Sequence, residues 1–141
     1  MGIPRRRDHL SLIEKFVSVQ GEGEWAGTPA AFVRLAGCNA KSLGLDCAEW
    51  CDTPGVFSGV DPATLPLTEL EEWVAHVNQP LIVFTGGEPM LQIDGILLWY
   101  VHSKARHDSR VSIETNGTIA RPQEWNVWWT VSPKPPLYEI A

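Results

Sequence analysis

The run AAFVRLAGCNAKSLGLDCAEWCDT, Ala30 to Thr53, decides how the rest of the chain is read. Ala30 to Ala36 is rich in β-forming side chains and predicts a strand, which sets Cys38 just past the strand's carboxyl end. In α/β folds that end is where sites sit. The loop Gly37 to Thr53 holds Cys38, Cys47 and Cys51, every cysteine of the chain, and no histidine. A disulfide framework would leave one thiol over, and Met1 to Leu10 is basic without the apolar run of a secretory signal. Structural zinc asks for a fourth ligand, and His9, His76, His102 and His107 all lie outside the loop. Three thiolates suit an iron–sulfur cluster with one iron left open, and an open iron implies chemistry.

The chain around this loop has 141 residues, the size of one domain, enough to bury about two-thirds of its unfolded surface. Hydrophobic residues make up 44% and charged residues 20%, which excludes disorder, and no apolar run reaches membrane length. A soluble, cytoplasmic protein is expected. The net charge of −6 argues against a nucleic-acid surface, which needs clustered Lys and Arg. Arg5 to Arg7 is the one basic run and reads as a solvated terminal arm.

Upstream, Leu10 to Val19 predicts a strand, followed by the turn-rich QGEG at Gln20 to Gly23. Arg34 interrupts the apolar strand before the loop and needs an anionic partner if buried, at a cost of several kcal/mol otherwise. That partner could be a structural carboxylate or a ligand. Downstream, Thr53 to Pro66 reads as loop. Thr68 with Glu71 forms a capping-box pattern opening a helix whose core face is Leu70, Trp73, Val74 and Val77. Pro80 to Phe84 has the character of a parallel strand covered on both sides, and it ends in TGGEP, Thr85 to Pro89. Two glycines there would let a ligand approach the backbone. A helix from Gln92 to about Ala105 follows, with a stripe of Ile96, Leu97, Tyr100 and Val101. Two more strands, Arg110 to Thr115 and Asn126 to Val131, run into ETNG and SPK.

Six segments in order, QGEG, FVRLAGCN, CDT, TGGEP, ETNG and SPK, resemble those of radical S-adenosylmethionine enzymes, and in particular the 7-carboxy-7-deazaguanine synthase family. The resemblance runs from Val17 to about Pro136. One departure is in the loop: the superfamily at large separates its cysteines by three and two residues, whereas here the gaps are eight and three. The fold implied is a single domain over residues 1–141, a partial parallel (βα) barrel incomplete at its C-terminus, with the cluster loop at 37–53. The family's further strands have no counterpart after SPK, so the open edge is expected to associate, with a homodimer as the implied form.

The implied function is ring contraction of 6-carboxy-5,6,7,8-tetrahydropterin to 7-carboxy-7-deazaguanine with loss of ammonia, in 7-deazaguanine (queuosine-type) biosynthesis. The implied cofactors are a 4Fe-4S cluster, S-adenosylmethionine and Mg2+, with an electron donor such as flavodoxin or ferredoxin. Residue by residue, the resemblance assigns Cys38, Cys47 and Cys51 to the cluster and Thr53 to magnesium. It assigns Val19, Gln20, Gly21, Arg34 and Thr85 to the substrate, and Gly87, Glu88, Glu114, Asn116, Ser132, Pro133 and Lys134 to the cofactor. Two alternatives stand beside it. A glycyl-radical enzyme activase shares the cluster and GGEP logic, though QGEG and Arg34 argue for a small substrate. A non-catalytic module binding a cluster or zinc is the other.

Overall fold

A computed structural model describes residues 8–50, 62–122, 124–136 and 138–141. Cys51 and Thr53 lie outside the described residues, as do Arg5 to Arg7. Among the described residues six strands form one sheet in the order β3-β1-β2-β4-β5-β6. They are β1 (His9–Val19), β2 (Pro29–Leu35), β3 (Ala63–Pro66), β4 (Leu81–Gly86), β5 (Arg110–Thr115) and β6 (Trp128–Val131). The helices are α1 (Cys47–Trp50), α2 (Leu67–Val77) and α3 (Ile93–His102), with 3-10 turns at Pro89–Gln92 and Ala105–Asp108.

The sheet is mixed. β2, β4, β5 and β6 run parallel, which is the (βα) arrangement expected of them, but β1 lies antiparallel to both β2 and β3. The β1–β2 connection explains this: only Gln20 to Thr28 separate them, too few for a crossover, so the chain must turn back as a hairpin. β3 was expected to be loop. Its four residues pair with His9 to Leu12, and only Leu65 is buried, so the segment carries almost no periodic signal of its own.

Alternation sorts the apolar residues onto two faces. Val33, Leu35, Ile82, Phe84, Val111 and Ile113 point to the helices and build the main core with Leu70, Val74, Ile96 and Trp99. Ala30, Phe32, Leu81 and Val83 point the other way, covered by Phe16 and Trp25. This second face is where the sheet leaves room for a ligand.

Two helix expectations change. α2 begins one residue earlier than Thr68 with Pro66 at its N-cap and no side-chain cap; Glu71 reaches instead to the next connection, accepting from the Ser103 hydroxyl, Lys104 N–H and Ala105 N–H. Burial pushes the Glu71 carboxyl up, but those bonds together hold it below the usual range. In α3 the buried residues are Gly95, Ile96 and Trp99, while Val101 is exposed. Gly95 sits against Leu10, where a Cβ would meet the leucine side chain at 2.7 Å.

Candidate active site

At the carboxyl ends of β2, β4 and β5, on the face away from the helices, lies a cavity of about 610 Å³. Val19, Gln20, Gly21, Arg34, Thr85, Glu114 and Lys134 line it, drawn from five separate stretches of sequence. Gln20 is the hinge of the arrangement. Its backbone closes the β1–β2 turn through Thr28 and Gly27, and its buried side chain gives Nε2–H to Glu114 Oε1 at 2.9 Å while Oε1 accepts from Gly21 N–H at 2.9 Å. The other Glu114 oxygen accepts from the Thr85 hydroxyl at 2.9 Å. One carboxylate is therefore held by two side chains, one from the β1–β2 turn and one from β4. Glu114 was expected on the cofactor side; its side chain stands in the same cavity as Gln20, Arg34 and Thr85.

Glu22 completes the acidic side of the cavity and was not foreseen, because a Glu between two glycines reads as turn. Its carboxyl is raised by burial first, then by the charge of Glu114 and a hydrogen bond with it, against an opposing pull from Lys134. Lys134 gives Nζ–H to Ser132 Oγ at 2.8 Å. Two carboxyl groups and one ammonium thus face a single space.

Arg34 does find a carboxylate in the chain. Register sets Glu14 directly across β1 from Arg34, and Nε–H donates to Glu14 Oε1 at 2.9 Å. The irregularity between Leu12 and Glu14 creates this pair, since without the bulge the strand would keep its earlier register. The guanidinium also lies 5.8 Å from the centre of Phe16, which stacks on Phe32. A bulge and a cross-strand partner twenty residues away left no local signature.

The two glycines of TGGEP have a different reason from the one expected. A Cβ on Gly86, whose φ is +154°, would sit 2.4 Å from the Leu35 carbonyl oxygen, and one on Gly87 would sit 1.9 Å from that of Gly37. The chain's own backbone, at the end of β2 and the start of the cysteine loop, lies where side chains at these two positions would be. Glu88 N–H then donates to the Gly37 carbonyl at 2.8 Å. The Glu88 side chain was expected to meet the cofactor's amino group. It is buried, 1% exposed, and accepts from Met90 N–H, the Thr115 hydroxyl at 2.6 Å and Asn116 N–H at 2.7 Å. Burial raises its pKa, and the three donors oppose the shift. Glu88 ties the end of β4 to the end of β5.

Asn116 continues that tie into the loop: its Nδ2–H donates to Asn39 Oδ1 at 3.0 Å, and its Oδ1 accepts from Thr118. Asn39 follows Cys38 directly, so this bond fixes the start of the thiol loop. Cys47 is buried with Ala40 and Leu45, and Cys38, Ala48 and Tyr138 pack against the same patch. Neither Cys38 nor Cys47 is in a disulfide. Two of the three predicted cluster ligands are thus gathered in one apolar patch, a thiol donor set of the kind that holds iron–sulfur clusters.

A mixed α/β sheet with a cysteine loop at the carboxyl ends of its parallel strands, beside a polar cavity, fits the α/β fold of radical S-adenosylmethionine enzymes. Comparison with known proteins narrows the class. The chain is 40% identical over 129 residues to 7-carboxy-7-deazaguanine synthase of Hyperthermus butylicus, covering 89% of this chain and 52% of the relative. It is 41% identical to the synthase of Thermoplasma acidophilum over 79% of this chain and 48% of that one, and 39% identical to that of Bordetella pertussis over 88% and 63%. The crystal structure of QueE from Escherichia coli superposes with a TM-score of 0.73 at 26% identity, over 94% of this chain and 64% of that one. No family model matches. The chain is thus a relative of the 7-carboxy-7-deazaguanine synthases, and it spans about half to just under two-thirds of the length of those it matches.

Proposed function

We propose that the chain carries out, or forms the core of a protein that carries out, the synthase reaction: ring contraction of 6-carboxy-5,6,7,8-tetrahydropterin to 7-carboxy-7-deazaguanine with loss of ammonia. The observation that carries this reading is the convergence of Val19, Gln20, Gly21, Arg34 and Thr85 on one cavity, whose Gly86 edge abuts the thiol loop through Gly87 and Gly37. Cys38, Cys47 and Cys51 would hold a 4Fe-4S cluster, and Thr53 would contribute an oxygen to Mg2+. With S-adenosylmethionine bound, the cluster supplies one-electron chemistry that starts the reaction, drawing its electron from a donor of the flavodoxin or ferredoxin kind.

The residues' own work follows from their geometry. Glu114, fixed by Gln20 and Thr85, presents acceptor capacity to the paired N–H donors of an aminopyrimidine edge. Arg34, steadied by Glu14, offers its guanidinium to the substrate carboxylate. Glu22 holds a proton more readily than an ordinary carboxyl and can deliver it from its carboxyl oxygen to a departing amine. Trp25, carried on the Gln20 to Thr28 turn, packs with Phe16 against the apolar residues of the second face. A homodimer joined along the β6 edge is part of the proposal, since among the described residues β6 pairs with β5 alone.

Anaerobic reconstitution with iron and sulfide tests the reading. A brown protein with broad visible absorbance, lost on replacing any one cysteine by Ala, supports it. A colourless protein carrying one zinc per chain would favour the non-catalytic module.

A further inference from the structure

Residues 134–136 and 138–141 lie against the thiol loop and the end of β5, and Tyr138 is the point of attachment. Its hydroxyl donates to the Asn116 carbonyl at 2.6 Å and accepts from Lys134 N–H at 3.0 Å. Its ring packs on the patch formed by Ala40, Leu45 and Cys47, with Cys38 beside it. Two backbone bonds reinforce the return: Asp46 N–H to the Pro135 carbonyl at 2.7 Å, and Ala141 N–H to the Gly117 carbonyl at 2.8 Å. The segment therefore touches the loop at Asp46 and the end of β5 at Asn116 and Gly117, joining two places that the sheet itself does not connect.

We propose that Tyr138 is a positioning residue, a latch that holds the thiol loop against the end of β5 and so sets how far Cys38 and Cys47 are exposed. Asn116 is the shared anchor. Its N–H is fixed by Glu88, its side chain by Asn39 of the loop, and its carbonyl by Tyr138, so the loop is tied to one residue from two directions. The phenol suits this place for a physical reason: the ring fills the apolar patch while the hydroxyl satisfies one carbonyl and one N–H that would otherwise face it unpaired. The inference rests on the cluster reading only for its consequence, since the latch acts on the thiols whether or not a cluster is bound.

The test uses the metal-free chain under reducing conditions, with iodoacetamide labelling of Cys38 and Cys47 followed peptide by peptide by mass spectrometry. Tyr138→Phe keeps the ring and removes both hydrogen bonds. It should speed labelling of both thiols about five- to tenfold, the factor set by two bonds at the low end of their net worth, through local opening. The urea midpoint, read in parallel, should fall by no more than the same two bonds are worth, and labelling should vary little with urea well below that midpoint, as local opening does. Tyr138→Ala should speed labelling further. Unchanged labelling in Tyr138→Phe would overturn the proposal. So would labelling that rises with urea as steeply as global unfolding does, because the thiols would then be reached by unfolding and not by an opened loop. Neither outcome bears on whether the loop binds a cluster, which reconstitution decides separately.

Discussion

Gly87→Ala separates two explanations of the TGGEP glycines. If Gly87 is there to admit a ligand, adding a methyl group should leave the empty protein as stable as before and weaken binding only. The packing argues otherwise: the new Cβ would lie 1.9 Å from the Gly37 carbonyl oxygen and 2.7 Å from its carbon, both backbone atoms. Relief to an ordinary contact near 3.4 Å means parting the two strands of chain by about 1.5 Å. That movement would also break the 2.8 Å bond from Glu88 N–H to the same carbonyl. Overpacking of this kind costs about 1–3 kcal/mol and the lost hydrogen bond about 1 more, so a loss of about 2–4 kcal/mol is expected. For a chain of this size that lowers Tm by roughly 10 °C. Thermal unfolding of the ligand-free protein measures it, with Gly21→Ala as control, since nothing lies within 4 Å of a Cβ there. A Gly87→Ala protein with an unchanged Tm would refute the packing argument and return Gly87 to a ligand-facing role.

Glu88 gives a pH signature. Its folded pKa is raised, chiefly by burial, so the folded state binds a proton more readily than the unfolded chain, and stability gains as pH falls from neutral through the folded pKa, levelling below the usual carboxylate range. Urea midpoints from pH 7 to 4 should therefore rise less on acidification in Glu88→Gln than in the parent; parallel curves would remove Glu88 from the account. Arg34→Lys should raise the substrate KM and leave uncoupled cleavage of S-adenosylmethionine intact, because Lys cannot keep the Glu14 contact and fork onto a carboxylate as well. A variant that merely unfolds would mark the pair as structural. Light scattering should find a dimer; a monomer that turns over fully would contradict association along the β6 edge.

The sequence marked where a site would lie, at the carboxyl ends of strands, and the resemblance of short segments said which residues would serve it. Val19, Gln20, Arg34 and Thr85 were placed from short segments, and they meet in one cavity. What was not legible depends on pairing across long separations. Glu14 reaches Arg34 only because a bulge shifts the register, and Glu71 leaves its expected cap for a connection more than thirty residues on. The internal bonds of Glu88 were hidden for a related reason: a carboxylate after two glycines looks presented to a ligand, whereas three donors, from the 3-10 turn, the end of β5 and the residue after it, draw it inward. The four parallel strands were legible from the motifs at their ends, whereas the direction of β1 was not, since a strand's direction is set by its connection and the turn at Gln20 to Thr28 carries no direction in its composition.

The account's central claim is that this cavity holds a carboxypterin against a radical-generating cofactor. The most direct measurement is anaerobic turnover of 6-carboxytetrahydropterin deuterated at C6 by the reconstituted, reduced protein, with the products read by mass spectrometry. The account predicts 7-carboxy-7-deazaguanine together with 5′-deoxyadenosine carrying the deuterium. Unlabelled 5′-deoxyadenosine, with the pterin returned unchanged, would contradict it.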